Sequence, residues 1–79
     1  MKYQLDNIKK ENRNYLKTKI DTIYGAAIKF KKNKACIIYE EPYLLNEDAI
    51  RLKNANKKNI QNIINEFRHY QFNQSVFGN

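Results

Sequence analysis

Four lysines fall within six residues, Lys29, Lys31, Lys32 and Lys34, and Phe30 sits among them. Ammonium groups at that density suit one task well: neutralising phosphates along a nucleic-acid backbone and releasing its counterions. A second basic group, Lys9, Lys10, Arg13 and Lys17, falls on one face of a predicted helix. A third set, Arg51, Lys58, Asn62, Asn65 and His69, shares one polar helix face at 100° per residue. Arg and Asn can read base edges, so that face has the composition of a recognition helix. Tyr24, Phe30 and Tyr39 would stack on bases wherever they are exposed. The plain alternative for each patch is a solvated face that keeps a small protein soluble.

Charge is segregated along the chain. Residues 1–34 carry ten basic and three acidic side chains, residues 35–48 carry four acids and no base, and residues 49–79 carry five bases and one acid. Codon bias raises total lysine, but it does not clear lysine from one stretch. Glu47 and Asp48 suit the first turn of a helix, where the dipole favours anions. Glu40 and Glu41 are candidates for contact with a basic partner or with the basic face of a second copy.

The chain offers little to an enzyme. Its two glycines, Gly25 and Gly78, cannot build a phosphate loop. One Cys and one His fall short of a zinc site, and Ser75 lies outside any nucleophile elbow. Cys36 lies in an apolar run and reads as a small buried hydrophobe rather than a partner for His69. The acidic stretch lacks His and the spacing of a calcium loop. No catalytic residue, metal or cofactor is therefore expected.

The tripeptide Arg68-His69-Tyr70 resembles the Arg, His and Tyr that small basic ribonuclease toxins of the RelE type carry near their C-terminus. The resemblance implies RNA cleavage by these three residues. It spans three residues of 79, the expected element order departs from that family, and residues 71–79 continue past the tripeptide. On a helix, consecutive side chains also diverge by about 100° and do not converge on one phosphate.

These residues need elements to position them. Leu5, Ile8, Tyr15, Leu16 and Ile20 keep a helical stripe, which predicts an amphipathic helix over residues 5–20. Residues 22–40 alternate with strand period around the polar tip Lys31-Lys32-Asn33-Lys34, which predicts a β-hairpin. The competing reading extends the first helix to about residue 32, giving an all-α helical hairpin. Pro42 ends the second strand or bends the chain. Asn46 is an N-cap for a helix running to about Tyr70, with Ala49, Leu52, Ile60, Ile63, Ile64, Phe67 and Tyr70 as its stripe. A break near Asn54-Ala55-Asn56 would fit the polar interruption there. Residues 72–79 read as a tail whose Phe72, Val76 and Phe77 dock on the core or on a partner. The expected fold is α+β: one basic domain over residues 1–71, ordered α-β-β-α, with a two-stranded antiparallel hairpin packed by two helices. A lone hairpin is marginal in water, which favours a homodimer.

Size and composition bound the rest. A 79-residue chain makes one small domain that buries only about 60% of its unfolded surface. The start MKYQLDNIKKEN has no apolar segment of a secretory signal, and no apolar run is long enough for a membrane span. Neither helix has the broad bulky face that suits a membrane surface. A single cysteine predicts a reducing, cytoplasmic setting. Twelve Lys, twelve Asn and ten Ile mark an AT-rich genome, that of a low-GC bacterium, its phages or plasmids, or an AT-rich virus, and a phage, viral or mobile-element source is expected. The chain is therefore expected to be a non-enzymatic binding protein that engages nucleic acid through Lys29, Lys31, Lys32 and Lys34, then Lys10, Arg13, Lys17, Arg51 and Lys58. The alternative is an inhibitor of a host nucleic-acid-handling enzyme or defence complex, with Glu40, Glu41, Phe72 and Phe77 as its contacts. In size and charge pattern the chain resembles the small phage proteins that disarm host nucleases, polymerases or CRISPR complexes.

Overall fold

Lys2-Tyr3-Gln4-Leu5 alternates polar and apolar side chains, and in the computed structural model it forms a strand, β1 (Lys2–Leu5). The structure describes residues 1–40 and 46–77, with side chains through Gln74. A single 3-10 turn (Lys10–Asn12) leads into α1 (Arg13–Asp21). The hairpin follows as β2 (Ala26–Lys31) and β3 (Lys34–Tyr39), and then one long helix, α2 (Glu47–Phe77). The fold is α+β, as expected, and the all-α alternative fails because residues 26–39 form a hairpin.

The sheet and the first helix differ from the sequence reading. The sheet has three strands in the order β1-β3-β2, all antiparallel, so the element order is β-α-β-β-α. The predicted 5–20 helix begins only at the 3-10 turn because Asn7 takes a left-handed backbone, φ 58°. Asn tolerates that region through local side-chain hydrogen bonds. Leu5 and Ile8 are buried all the same, one from a strand and one from a loop, which is how a strand end and a loop came to mimic a helical stripe. With a third strand supplied by its own N-terminal segment, the sheet does not need a second copy to complete it.

β3 is the central strand and its alternation sets the layers. Ala35, Ile37 and Tyr39 point to one face and are buried, and they meet Leu16 and Ile20 of α1 and Ile60, Ile64 and Phe67 of α2 in one core. Both helices pack on this inner face. α2 starts as expected, with the Ala49 amide donating to Asn46 Oδ1 at 2.8 Å. It then runs unbroken through Asn54-Ala55-Asn56 and past Tyr70 to Phe77, so residues 72–77 are helix rather than tail. Its 31 residues span about 46 Å, which accounts for the 49 Å long axis of the molecule.

The extra turns of α2 hold the loop between β1 and α1. Asn12, buried at 2% exposure, donates from Nδ2 to the side-chain oxygens of Gln71 (3.3 Å) and Gln74 (2.7 Å). The Lys9 amide also donates to Gln71 Oε1 at 2.9 Å, and Gln71 Nε2 donates to the Asn7 carbonyl at 3.0 Å. A buried amide left without partners costs about 1–3 kcal/mol, so this clasp fixes where α2 ends relative to the sheet. Tyr15 adds a ring stack on Tyr70, centroids 4.8 Å apart.

Gly25 connects α1 to β2 with φ +88°, and a Cβ there would lie 2.8 Å from the Glu40 carbonyl oxygen. Gly25→Ala is expected to cost at least about 1 kcal/mol, from the left-handed backbone and from that backbone clash. Thermal unfolding followed by circular dichroism should show Tm lower by roughly 4–8 °C per kcal/mol. An unchanged Tm would mean this turn does not constrain the start of β2.

Candidate nucleic-acid interface

The face of the sheet opposite the core is not covered by any described element. The register assigns its occupants: Lys2 beside Ile38 beside Ala27, Gln4 beside Cys36 beside Lys29, and Lys34 beside Lys31. Lys2, Lys29, Lys31 and Lys34 are exposed, while Cys36 and Ile38 are half-buried in the middle. The lysines thus ring a shallow apolar centre, over a depression of about 520 Å³ that Lys29, Lys31, Lys34 and Cys36 help to line.

Lys31 and Lys34 are direct cross-strand partners. Opposed side chains have Cβ atoms about 4.5–5.5 Å apart, and like charges there are destabilising. Asp6 lines the same depression, yet among the described residues none of Lys29, Lys31, Lys32 and Lys34 has an ion pair. Lys32 occupies the two-residue turn with φ 57°, a left-handed backbone unusual for lysine. The tip is not a loose arm, because the Ile8 amide donates to the Asn33 carbonyl at 2.7 Å. The hairpin lysines are therefore carried on a turn whose backbone is tied.

The other predicted contacts lie elsewhere. Lys10 is exposed on the 3-10 turn. Lys17 is paired with Asp21 at 2.6 Å in an exposed i,i+4 bridge. The Arg13 guanidinium lies 5.6 Å from the Phe30 ring centroid, on the helix side of β2, and its Nε is buried without a hydrogen-bond partner. Arg13 therefore packs an edge of the core. Arg51, Lys58, Asn62, Asn65 and His69 are all exposed along α2, on the side away from its buried stripe. The helices cover the inner face of the sheet, so the α2 stripe and the sheet lysines occupy different sides of the molecule.

Of the aromatic candidates for base stacking, Tyr39 is in the core, with its hydroxyl accepting from Asn56 Nδ2 at 3.0 Å. Phe30 is half-buried under Arg13, and only Tyr24, 85% exposed, is open. Glu40 is exposed just past β3, and Phe72 is exposed on α2 beside Arg68 and His69. Glu41, Pro42 and the Val76 and Phe77 side chains lie outside the described residues. In the Arg68-His69-Tyr70 run, Tyr70 turns into its stack on Tyr15 while Arg68 and His69 remain in solvent.

No protein-family model, no curated protein and no solved structure matches the chain. Among the described residues, no group of three or more His, Cys, Asp or Glu could hold a metal, and no helix is long and apolar enough to cross a membrane.

Sequence reading missed Lys2, Gln4 and Cys36 as members of this face. The signal was present in the alternation of Lys2-Tyr3-Gln4-Leu5, which a helical stripe beginning at Leu5 concealed. A cross-strand cation pair gives a specific expectation. Lys34→Glu should raise stability by about 0.5–1 kcal/mol, since it replaces repulsion across from Lys31 with attraction. Urea unfolding would show the gain as a higher midpoint at unchanged slope, and a lower midpoint would mean the two ammonium groups do not repel.

Proposed function

We propose that the chain is a small nucleic-acid-binding module that lays the open face of its sheet on the phosphate backbone. The observation that carries this reading is the placement of Lys2, Lys29, Lys31 and Lys34 on one uncovered face, without ion pairs among the described residues. Isolated, these charges repel. A polyanion turns that cost into attraction and gains the entropy of released counterions. Lys32 extends the row around the tied turn. The reading assigns no catalytic step, metal or cofactor, and it places the chain in the cytoplasm, that of the host where the source is a phage or virus.

Exposed Phe72 beside Arg68 and His69 favours a second reading, an inhibitor that docks on a host nucleic-acid-handling protein. A large apolar side chain in solvent suits a protein partner better than a phosphate backbone.

Salt-dependent fluorescence anisotropy separates the two. Neutralising about four phosphates of a duplex gives a log–log salt slope near −3.6. The triple variant Lys29→Ala, Lys31→Ala and Lys34→Ala should flatten that slope by about 2–3 and weaken binding similarly across sequences. Arg51→Ala with Lys58→Ala should leave the slope nearly unchanged. A triple variant that binds like the parent would remove the sheet face from the account, and a parent that binds only at low salt would favour the inhibitor reading.

A further inference from the structure

A second groove lies between the end of α1 and the middle of α2, with a volume of about 590 Å³. Its walls carry Tyr24 and Lys19 on one side and Leu52, Asn59, Asn62 and Ile63 on the other. Among the described residues, Tyr24 is the most exposed large hydrophobic side chain, at 85%. It is not on a loose loop. The Ala26 amide donates to the Ile23 carbonyl at 3.1 Å, and the Glu40 amide donates to the Gly25 carbonyl at 3.0 Å, so the turn carrying Tyr24 is tied on both sides. A ring left in solvent on a tied turn has a π-face open to a flat partner.

The opposite wall supplies the hydrogen bonds such a partner would need. Asn59 and Asn62 are exposed, and their carboxamides make no hydrogen bond among the described residues. Asn56 also lines the groove and is held there by its Nδ2 donating to the Tyr39 hydroxyl. Carboxamides present donor and acceptor side by side, the pattern that pairs with the edge of a base. Leu52 and Ile63 add apolar surface to that wall, and Lys19, whose Nζ lies 5.7 Å from the Tyr15 ring centroid, brings a cation to the same groove. Glu66 at the groove adds an acceptor for an exocyclic amino group.

We propose that this groove takes an unpaired nucleobase, stacked on Tyr24 and held by the Asn59 and Asn62 amides, so that the chain prefers single-stranded to duplex nucleic acid. The proposal rests on the nucleic-acid reading above and deepens it. Groove and lysines lie on opposite sides of the sheet, but β2 is an edge strand and Lys29 follows Tyr24 by five residues, at most about 18 Å of extended chain, so a strand leaving the groove has to pass round the β2 edge to meet the lysine face. In a duplex the bases are stacked inside and cannot enter.

The chain has no Trp, so Tyr24→Trp installs a single reporter at the groove. Short single-stranded DNA and RNA oligonucleotides should quench its emission at saturation, while the same sequence as a duplex should not. Tyr24→Ala should weaken single-strand binding about tenfold and leave duplex binding unchanged, and Asn59→Ala with Asn62→Ala should do the same to a smaller degree. Unquenched emission, with anisotropy still reporting single-strand binding, would overturn the groove and leave the lysine face standing. Absence of binding to any of the probes would overturn both.

Discussion

The two-residue alternation of β3 decides what each side of the molecule does. Ala35, Ile37 and Tyr39 reach the core and Lys34, Cys36 and Ile38 reach the open face, so a single register error would exchange core and interface. The pairing is secured on both sides, by β2 through a tight turn and by β1 through a separate segment. Burying Ile37 and Tyr39 against Ile60, Ile64 and Phe67 stabilises the core by roughly 1.5–3 kcal/mol per large side chain. That burial offsets the repulsion among the lysines held on the other face. A domain of this size has about 4–12 kcal/mol of net stability, so cross-strand repulsion of up to about 1 kcal/mol is a noticeable concession. On the function proposed above, a polyanion laid on this face would relieve it.

The polar clasp explains how a helix as long as α2 ends in a defined place. Apolar stripes tell a helix which side to bury, but they permit sliding along its axis. Gln71 and Gln74 remove that freedom by meeting Asn7, Lys9 and Asn12 with directional bonds. The loop they hold in turn ties the hairpin turn through Ile8 and Asn33. The far end of α2 and the lysine-bearing tip therefore belong to one connected polar and backbone network.

The hairpin was legible because a polar tip separates two runs of strand period, and the α2 N-terminus because Asn46-Glu47-Asp48 carries cap and dipole chemistry together. β1 was hidden by its shortness. Four residues hold only two alternations, and Leu5 and Ile8 happen to fall on the helical stripe that Leu16 and Ile20 continue. The last turns of α2 were hidden because their anchoring is polar, and glutamines facing a buried asparagine leave no hydrophobic period to read. The lysine cluster was visible as composition, whereas its restriction to one face depended on register. Arg13 shows the converse: a basic residue in a basic stretch whose guanidinium is used to cover Phe30.

The lone thiol gives the most direct test of the central claim. Cys36 sits half-exposed at the middle of the open face, with Gln4 and Lys29 as its cross-strand partners. Its alkylation rate by a neutral maleimide, measured with and without saturating oligonucleotide, reports whether that face is covered. Nucleic acid bound on this face should slow the reaction several-fold through steric cover of the thiol. An unchanged rate at demonstrated saturation would contradict the account and place the bound nucleic acid elsewhere on the molecule.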